Sequence, residues 1–245
     1  RLDQAYSLQG HFEQSIESYN DFKQFSRERS KLYFTAEIEW FMGDGYQLQK
    51  RWQDANKHYQ LAKKLSREIN ACYIEAKALM GLLRASYFQN RPITIIQKAA
   101  IKVENLAKEY KYHNILAEVY LYETMTKVRS YVQSSQDEII SNIHIQQLSR
   151  QFLCALQESL LYNSYVVDKT LCKMIVFLRE LDVELTNKVC KEFLSLWRTT
   201  EFLGKPIIDV ERMLRKRDQL SHAQISVIEQ LTKPTEITLN LSDLV

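Results

Sequence analysis

The residues best able to bind a metal or act as nucleophiles are five histidines and four cysteines, and their spacing favours neither role. The chain contains no Cys-x-x-Cys pair, no His-Glu-x-x-His motif and no cluster of Cys with His. Cys154, Cys172 and Cys190 are evenly spaced, and each interval equals about five helical turns. That interval is typical of small buried residues on helices. We therefore expect no metal and no cofactor.

Motifs of the large enzyme families are also absent from the sequence. There is no Gly-x-Ser-x-Gly nucleophile turn, no phosphate-binding Walker loop and no Gly-x-Gly-x-x-Gly fingerprint. Catalytic triads assemble in space rather than in sequence, so an enzyme built within a helical bundle stays an alternative. Since no positive signal is present, we expect that the chain is not an enzyme.

The charge pattern restricts the class of partner. Lys and Arg number 33 and Asp and Glu number 30, so the formal net charge is +3, too weak to favour nucleic acid or an anionic membrane. The densest basic run extends from Arg212 to Arg217, and we interpret it as a solvated helix face because neighbouring acids dilute it. No stretch approaches the roughly 18 apolar residues of a membrane span. The unpaired cysteines are typical of a cytoplasmic protein.

Few residues in this chain interrupt helices. It has 5 Gly and 3 Pro in 245 residues, whereas β-sandwiches and Gly-rich α/β enzymes need many turn residues. Apolar residues recur at helical spacing nearly throughout. In the later part of the chain this spacing predicts helices near residues 92–110, 112–132, 138–163, 165–181, 183–202, 206–219 and 221–232. The tail is expected to be extended or a short strand.

A repeat with a period of about 40 residues runs through the first part of the chain. The recurring residues are either aromatic or small: Phe12 and Trp52, Ser15 and Ala55, Tyr19 and Tyr59, Tyr33 and Tyr73, Ala36 and Ala76. A second small position, Gly43, recurs as Gly81, slightly before one full period. Small residues let two helices approach closely, and a large ring fills the space between them. One helix pair cannot cover its own apolar face, so we expect the pairs to stack.

In these residues the chain resembles the tetratricopeptide repeat family. The matching positions are Gly43, Tyr46, Ala55, Tyr59 and Ala62. The resemblance implies an all-α, right-handed α-solenoid of stacked antiparallel helix pairs over residues 1–132. Residues 133–233 are expected to be degenerate repeats or a C-terminal helical cap, followed by an extended tail at 234–245. The period is longer than the family's, which is about 34 residues, and Arg67 stands near the place of the family's closing Pro.

The resemblance places a binding surface on the concave face, which the first helix of each pair lines. The candidate residues for contact with a protein or peptide ligand are Glu37, Trp40, Asp44, Gln47, Glu75, Glu123 and Lys127. Trp40 and Asp44 stand where repeats that clamp a terminal carboxylate carry Lys and Asn, so we expect a different peptide, one with basic residues. Two alternatives stay open. One is that the charged candidates only form a solvated helix face, and the other is that Trp40 belongs to the core.

The resemblance thus implies a protein- or peptide-binding interaction module. The chain opens on Arg1 rather than Met, which indicates either a segment of a longer protein or a processed chain. We therefore expect a regulatory or scaffold segment. The alternative is an effector-sensing domain of a signalling or transcriptional regulator whose output domain lies outside this chain.

Overall fold

The described part of the protein is built almost wholly from helices. The computed structural model describes residues 13–21 without 15, 32–134, 142–207 without 182 and 203, and 209. The helices with defined bounds are α1 (Leu32–Leu48), α2 (Trp52–Glu68), α3 (Cys72–Phe88), α4 (Ile93–Glu109), α5 (His113–Ser134), α6 (Asn142–Tyr162), α7 (Ser164–Leu181) and α8 (Val183–Thr199). Residues 16–21 are helical as well. After α8, the two-residue strands β1 (Glu201–Phe202) and β2 (Lys205–Pro206) pair antiparallel around Gly204, whose φ is +73°.

The turns that connect α1 through α5 share one geometry. Each contains one residue with left-handed backbone, and these residues are Lys50, Asn70, Asn90 and Lys111, with φ of 59°, 54°, 52° and 55°. In the first turn the N–H of Arg51 donates to Tyr46 O, and the N–H of Lys50 donates to Gln47 O, both at 2.9 Å. This pair of bonds is the Schellman motif that closes helix ends. The left-handed residues recur at an even spacing, close to half of the period that the sequence predicts.

In the first compact unit, Arg1–Ile115, consecutive helices from α1 to α4 pack against each other, and α1 also contacts α3. The ring of Tyr59 on α2 is fully buried between Gly43 of α1 and Gly81 of α3. A Cβ added at Gly43 would lie 2.5 Å from Tyr59 Cδ1, and one added at Gly81 would lie 2.5 Å from Tyr59 Cζ. The expectation that these small residues mark close contacts around a large ring is therefore confirmed.

In the second compact unit, Leu116–Val245, helix α6 packs against both α7 and α8, and α7 packs against α8. The largest fully buried apolar side chains of these helices are Leu148, Phe152, Leu156, Met174 and Leu178. The Ser149 hydroxyl donates to Val189 O at 3.2 Å and joins α6 to α8. The hydroxyls of Ser159 and Thr170 lie 3.0 Å apart and join α6 to α7. Large apolar residues thus carry this core, with two buried hydroxyl contacts between helices.

The all-α class and the packing of consecutive helices that the resemblance implies are confirmed. The five helices expected between residues 92 and 202 agree closely with α4 to α8, and the largest difference among the described residues is the end of α8 at Thr199. The expected start of the third of these helices, at 138–141, lies outside the described residues. The expected boundary at 132/133 falls inside α5, whereas the two compact units divide between Ile115 and Leu116. The expected helices near 206–219 and 221–232, and the tail, lie almost wholly outside the described residues. The right-handed sense of the solenoid stays a prediction.

Candidate functional site

Predicted site residues of α1 lie beside basic residues of α3, in what we call the α1–α3 face: Glu37, Trp40, Asp44, Lys77 and Arg84. The three from α1 are spaced by three and four positions, and the two from α3 by seven, so each set follows one side of its helix. All five side chains are partly buried. The acidic and aromatic residues predicted on α1 therefore meet cations from the next repeat.

The centre of the α1–α3 face is a lysine held between two aromatic rings. Lys77 Nζ lies 4.0 Å from the centroid of the Trp40 ring and 4.5 Å from that of Tyr73, a favourable cation–π geometry. Burial lowers the pKa of Lys77, whereas the negative charges of Glu37 and Asp44 act in the opposite direction. Trp40 of α1 thus contacts α3, in the following repeat.

Tyr73 also contacts residues at the start of α5 and just before it. Asn114 Nδ2 donates to the Tyr73 hydroxyl at 3.0 Å, and the Tyr112 ring lies edge-on to the Tyr73 ring with centroids 4.9 Å apart. The indole Nε1 of Trp40 is removed from solvent and has no hydrogen-bond partner among the described residues. The two rings that flank Lys77 are therefore anchored differently, and Tyr73 is the more firmly fixed.

Asp44 and Gln47 accept hydrogen bonds from inside the protein. The Tyr59 hydroxyl donates to Asp44 Oδ1 at 2.6 Å and lies 3.0 Å from Gln47 Oε1, and Arg84 Nη2 donates to Asp44 Oδ1 at 2.6 Å. Burial, followed by the charge of Asp44, raises the pKa of Tyr59 well above its ordinary value. Asp44 thus satisfies a buried hydroxyl and neutralises Arg84, which stands one period later in the sequence.

Glu75 is also engaged within the first unit. Arg67 Nε of α2 donates to Glu75 Oε1 of α3 at 2.5 Å, and the Glu75 side chain is 13% exposed. Arg67, which stands near the place of the closing Pro in the resemblance, thus joins α2 to α3. Two of the acidic candidate residues, Asp44 and Glu75, are thus each paired with an arginine.

A contact between a buried carboxylate and an imidazole, which the sequence does not predict, lies between α1 and α2. Glu39 is fully buried, and its Oε2 lies 2.7 Å from His58 Nδ1. The His58 ring stacks on Tyr46 with centroids 5.0 Å apart. The available signal was position, because Glu39 lies three positions after Ala36 and four before Gly43, inside the apolar stripe of α1. A charged residue in such a stripe needs a partner.

Glu123 and Lys127 belong to the second unit. Glu123 lines a cleft of about 410 Å³ between α5 and α6. The other lining residues among those described are Tyr120, Thr124, Gln151, Cys154, Gln157 and Glu158. Lys127 lies one turn beyond Glu123 on α5 and is partly buried. The predicted residues thus fall into two groups, one in each unit.

The thiols have raised pKa values in the second unit. Burial raises the pKa of Cys190 to about 11, and burial is also the main cause of the raised pKa values of Cys154 and Cys172. A raised pKa leaves less thiolate at neutral pH and therefore a weaker nucleophile. Within the described ranges, no group of three or more His, Cys, Asp and Glu residues is placed to hold a metal ion.

Comparison with known proteins adds no relative, because no protein-family model and no curated protein matches the chain. The tetratricopeptide likeness therefore stays a resemblance. It rests on the sequence positions given above, Gly43, Tyr46, Ala55, Tyr59 and Ala62. In the part of the chain that the structure describes, no helix is both long and apolar enough to cross a membrane.

Proposed function

We propose that this chain is a protein- or peptide-binding helical-repeat module, a regulatory or scaffold segment of a larger protein, and that the α1–α3 face contacts the ligand. The observation that carries the proposal is the arrangement of Lys77 between the rings of Trp40 and Tyr73. It gives two consecutive repeats a continuous surface that is partly apolar, partly cationic and fixed in position.

Fixed side chains favour binding because little conformational entropy is lost when a ligand arrives. Trp40 contacts both Lys77 and the Phe41 ring, whose centroid lies 4.4 Å from that of the indole. Asp44 and Arg84 hold each other at 2.6 Å. A flat, partly exposed indole in such a frame is the kind of anchor on which protein interfaces depend most.

The charges of the α1–α3 face favour a ligand that combines apolar and basic groups. Asp44 and Glu75 are paired with arginines, so they contribute little to selection of a basic peptide. Glu37 is the acid on this face best placed to receive a cation from a ligand, because its charge acts on Lys77 across the face and its side chain is only partly buried. The expected ligand therefore combines an apolar or aromatic side chain against Trp40 with one basic residue near Glu37.

The test uses partners captured by the full chain, purified and measured by titration calorimetry. The double change Trp40→Ala with Glu37→Gln is expected to weaken binding by at least tenfold, because loss of an anchor ring costs more than about 1.4 kcal/mol. Circular dichroism checks that helicity is retained.

A matched control changes one exposed apolar and one exposed acidic residue on α4. Ile101 is 51% exposed and Glu109 is exposed, so Ile101→Ala with Glu109→Gln removes similar groups from another surface. This variant should bind normally. If the Trp40/Glu37 variant binds as tightly as the control and remains helical, the α1–α3 face is not the contact surface.

A further inference from the structure

The turn between α1 and α2 and the turn between α3 and α4 lie at the same end of the first unit. Each short turn reverses the chain between two helices that pack against each other, so alternate turns lie at the same end. A ring contact joins these two turns. Trp52, which follows the first turn, stacks on Phe88, which precedes the second, with centroids 5.4 Å apart and planes at 13°. The left-handed residues of the two turns, Lys50 and Asn90, are one period apart.

Apolar side chains are exposed at this end. Leu48 and Phe88, the last residues of α1 and α3, are 54% and 43% exposed. Trp52, the first residue of α2, is partly exposed as well. Because the stack already orders both rings, little conformational entropy is lost when a partner covers them. Aromatic rings presented in this way are typical of protein interfaces.

The charges at this end are unbalanced. The stretches 48–57 and 88–97, which begin at the last residues of α1 and α3, hold four cations and one acid: Lys50, Arg51, Lys57, Arg91 and Asp54. At the opposite end, the stretches 68–77 and 109–115 hold two cations and three acids: Lys77, Lys111, Glu68, Glu75 and Glu109. The positive charge is therefore local to one end of the helices and does not follow from the weak net charge of the chain.

Two of these cations, Lys50 and Arg91, are available to a partner. Both are exposed, and neither forms an ion pair with a described residue. Asp54 does not neutralise them, because its Oδ2 accepts from Arg51 Nη2 at 2.9 Å. Arg91 Nη2 donates to a neutral group, Gln89 Oε1, at 3.4 Å. We call the exposed apolar and cationic residues of this end the turn edge: Leu48, Lys50, Trp52, Phe88 and Arg91.

We propose that the turn edge is a second protein-interaction surface and that its partner is an acidic segment with apolar side chains. Carboxylates of the segment pair with Lys50 and Arg91, and its apolar side chains pack on the stacked rings and on Leu48. Single-stranded nucleic acid fits less well because it needs open ring faces on which bases stack. Trp52 and Phe88 each use one face on the other, and Leu48 offers none. The turn edge shares no residue with the α1–α3 face.

The probe is a short synthetic peptide with blocked ends, Glu-Asp-Phe-Glu-Asp-Leu-Glu, titrated into the full chain by calorimetry. We expect a Kd below about 1 mM. Two matched peptides separate the contributions of charge and apolar contact, one with Ser in place of Phe and Leu, and one with Lys in place of every acid. Each should bind roughly tenfold more weakly or not at all. Added salt should weaken the acidic peptide, because exposed charges are screened.

Charge variants locate the peptide on the protein. Lys50→Glu with Arg91→Glu should weaken its binding by roughly tenfold or more. The matched control is Lys64→Glu with Lys102→Glu, which makes the same change of net charge at exposed lysines within α2 and α4 and should have little effect. Circular dichroism checks that each variant remains helical.

An apolar variant tests the other half of the surface without disturbing the stacked rings. Leu48→Ser should weaken binding of the acidic peptide by about threefold or more. Ile101→Ser, at a side chain on α4 that is 51% exposed, is its control and should bind normally. Trp40→Ala with Glu37→Gln should also bind this peptide normally, so failure of the turn edge and failure of the α1–α3 face are distinguishable.

Loss of binding in the Lys50/Arg91 and Leu48 variants, with binding kept in their controls, supports the proposal. Equal weakening in the two charge variants, or equal binding of the Ser-substituted peptide, reduces the contact to unspecific charge and overturns it. A flat titration up to about 1 mM peptide overturns it as well. Tighter binding of single-stranded oligothymidine than of the acidic peptide assigns the turn edge to nucleic acid instead.

Discussion

Helices α1 to α4 and helices α6 to α8 pack by different means. The first four are each 17 residues long, and they meet through fully buried small residues such as Ala36, Ala55 and Ala76. One ring, that of Tyr59, fits between two glycines. The later helices have 21, 18 and 17 residues and meet through Leu, Phe and Met side chains.

This difference has consequences for tolerance to change. A contact between backbones leaves no room for a different side chain, so each member of the contact is fixed by the others. A core of large aliphatic side chains accepts many combinations of similar volume. We therefore expect that small substitutions at a few positions of the first unit change its stability strongly. In the second unit we expect substitutions at different core positions to have effects of similar size.

The largest expected effect is the loss of the buried ring. Tyr59→Ala should lower the free energy of unfolding by about 3–5 kcal/mol, because the cavity between α1 and α3 cannot close fully. Hydrogen exchange followed by mass spectrometry should show faster exchange in α1 to α3 and little change in α6 to α8. Tyr165→Ala, at a tyrosine that is 63% exposed, is the control. Equal acceleration in α6 to α8 would show that the two sets of helices are not energetically distinct.

The second effect is alkaline destabilisation of the second unit. The ordinary pKa of the Cys190 thiol is 9.0, and burial raises it to about 11 in the folded chain. Between these two pH values the thiol loses its proton in the unfolded chain but keeps it in the folded chain, so a rise in pH favours unfolding. Its stabilising contribution is complete below pH 9 and is lost as the pH rises through 11, a loss of roughly 2–3 kcal/mol. Cys190→Ala should flatten this decline. The urea midpoint at pH 8 and pH 11, followed by circular dichroism, measures it.

The control for this prediction is Cys154→Ala, since the Cys154 side chain is exposed and should contribute less. This variant is expected to keep most of the alkaline decline. An unchanged decline in Cys190→Ala would assign it to other groups. The first unit should also lose stability above about pH 10, because burial raises the pKa of Tyr59.

The third effect concerns two glycines of α1, at which the same change to alanine should alter stability in opposite directions. Gly43→Ala should destabilise the chain by about 1–3 kcal/mol, because its Cβ would lie 2.5 Å from the Tyr59 ring. Gly45→Ala, two positions later, places its Cβ where nothing lies within 4 Å. It should stabilise the chain by up to about 1 kcal/mol, since Gly is unfavourable inside helices. Urea unfolding measures both, and two changes of the same sign would contradict the close contact.

The smallest effect concerns the turns of the regular region. Lys50 and Lys111 have left-handed backbone, a conformation that favours glycine. Lys50→Gly and Lys111→Gly should each raise stability by about 1 kcal/mol, and Asn70→Gly by less, because Asn tolerates this conformation better. Lys64→Gly, in the middle of α2, should instead lower stability by about 1 kcal/mol. Thermal unfolding measures the stability of each variant. Equal melting temperatures for Lys50→Gly and Lys64→Gly would contradict the prediction that glycine is favourable at the left-handed turn positions.

The contacts that sequence alone could predict are those that need a special residue type. Gly43, Gly81 and Tyr59 stand out because few other residues fit a backbone contact around a ring. The turns could not be predicted in the same way, since Lys50 and Lys111 replace the glycine that would signal a helix end. The low glycine content thus reflects strained turns as well as long helices.

The charged partners were beyond sequence reasoning for a different reason. Asp44 could serve a groove, a solvated face or a buried hydroxyl, and only the placement of Tyr59 and Arg84 decides among them. The cleft is harder still. Its polar stripes on α5 and α6 are ordinary for exposed helices, and they become a cleft only when the two helices are placed together.

The even spacing of the left-handed turn residues also bears on how such a chain can grow. Residues 52–91 comprise α2, α3 and the turns that follow them, and they begin and end at equivalent points of the repeat. A second copy inserted after residue 91 would keep every turn in register. Whole helix pairs are therefore the steps by which the first unit can be lengthened or shortened, by gene duplication or by engineering, with its turns unchanged.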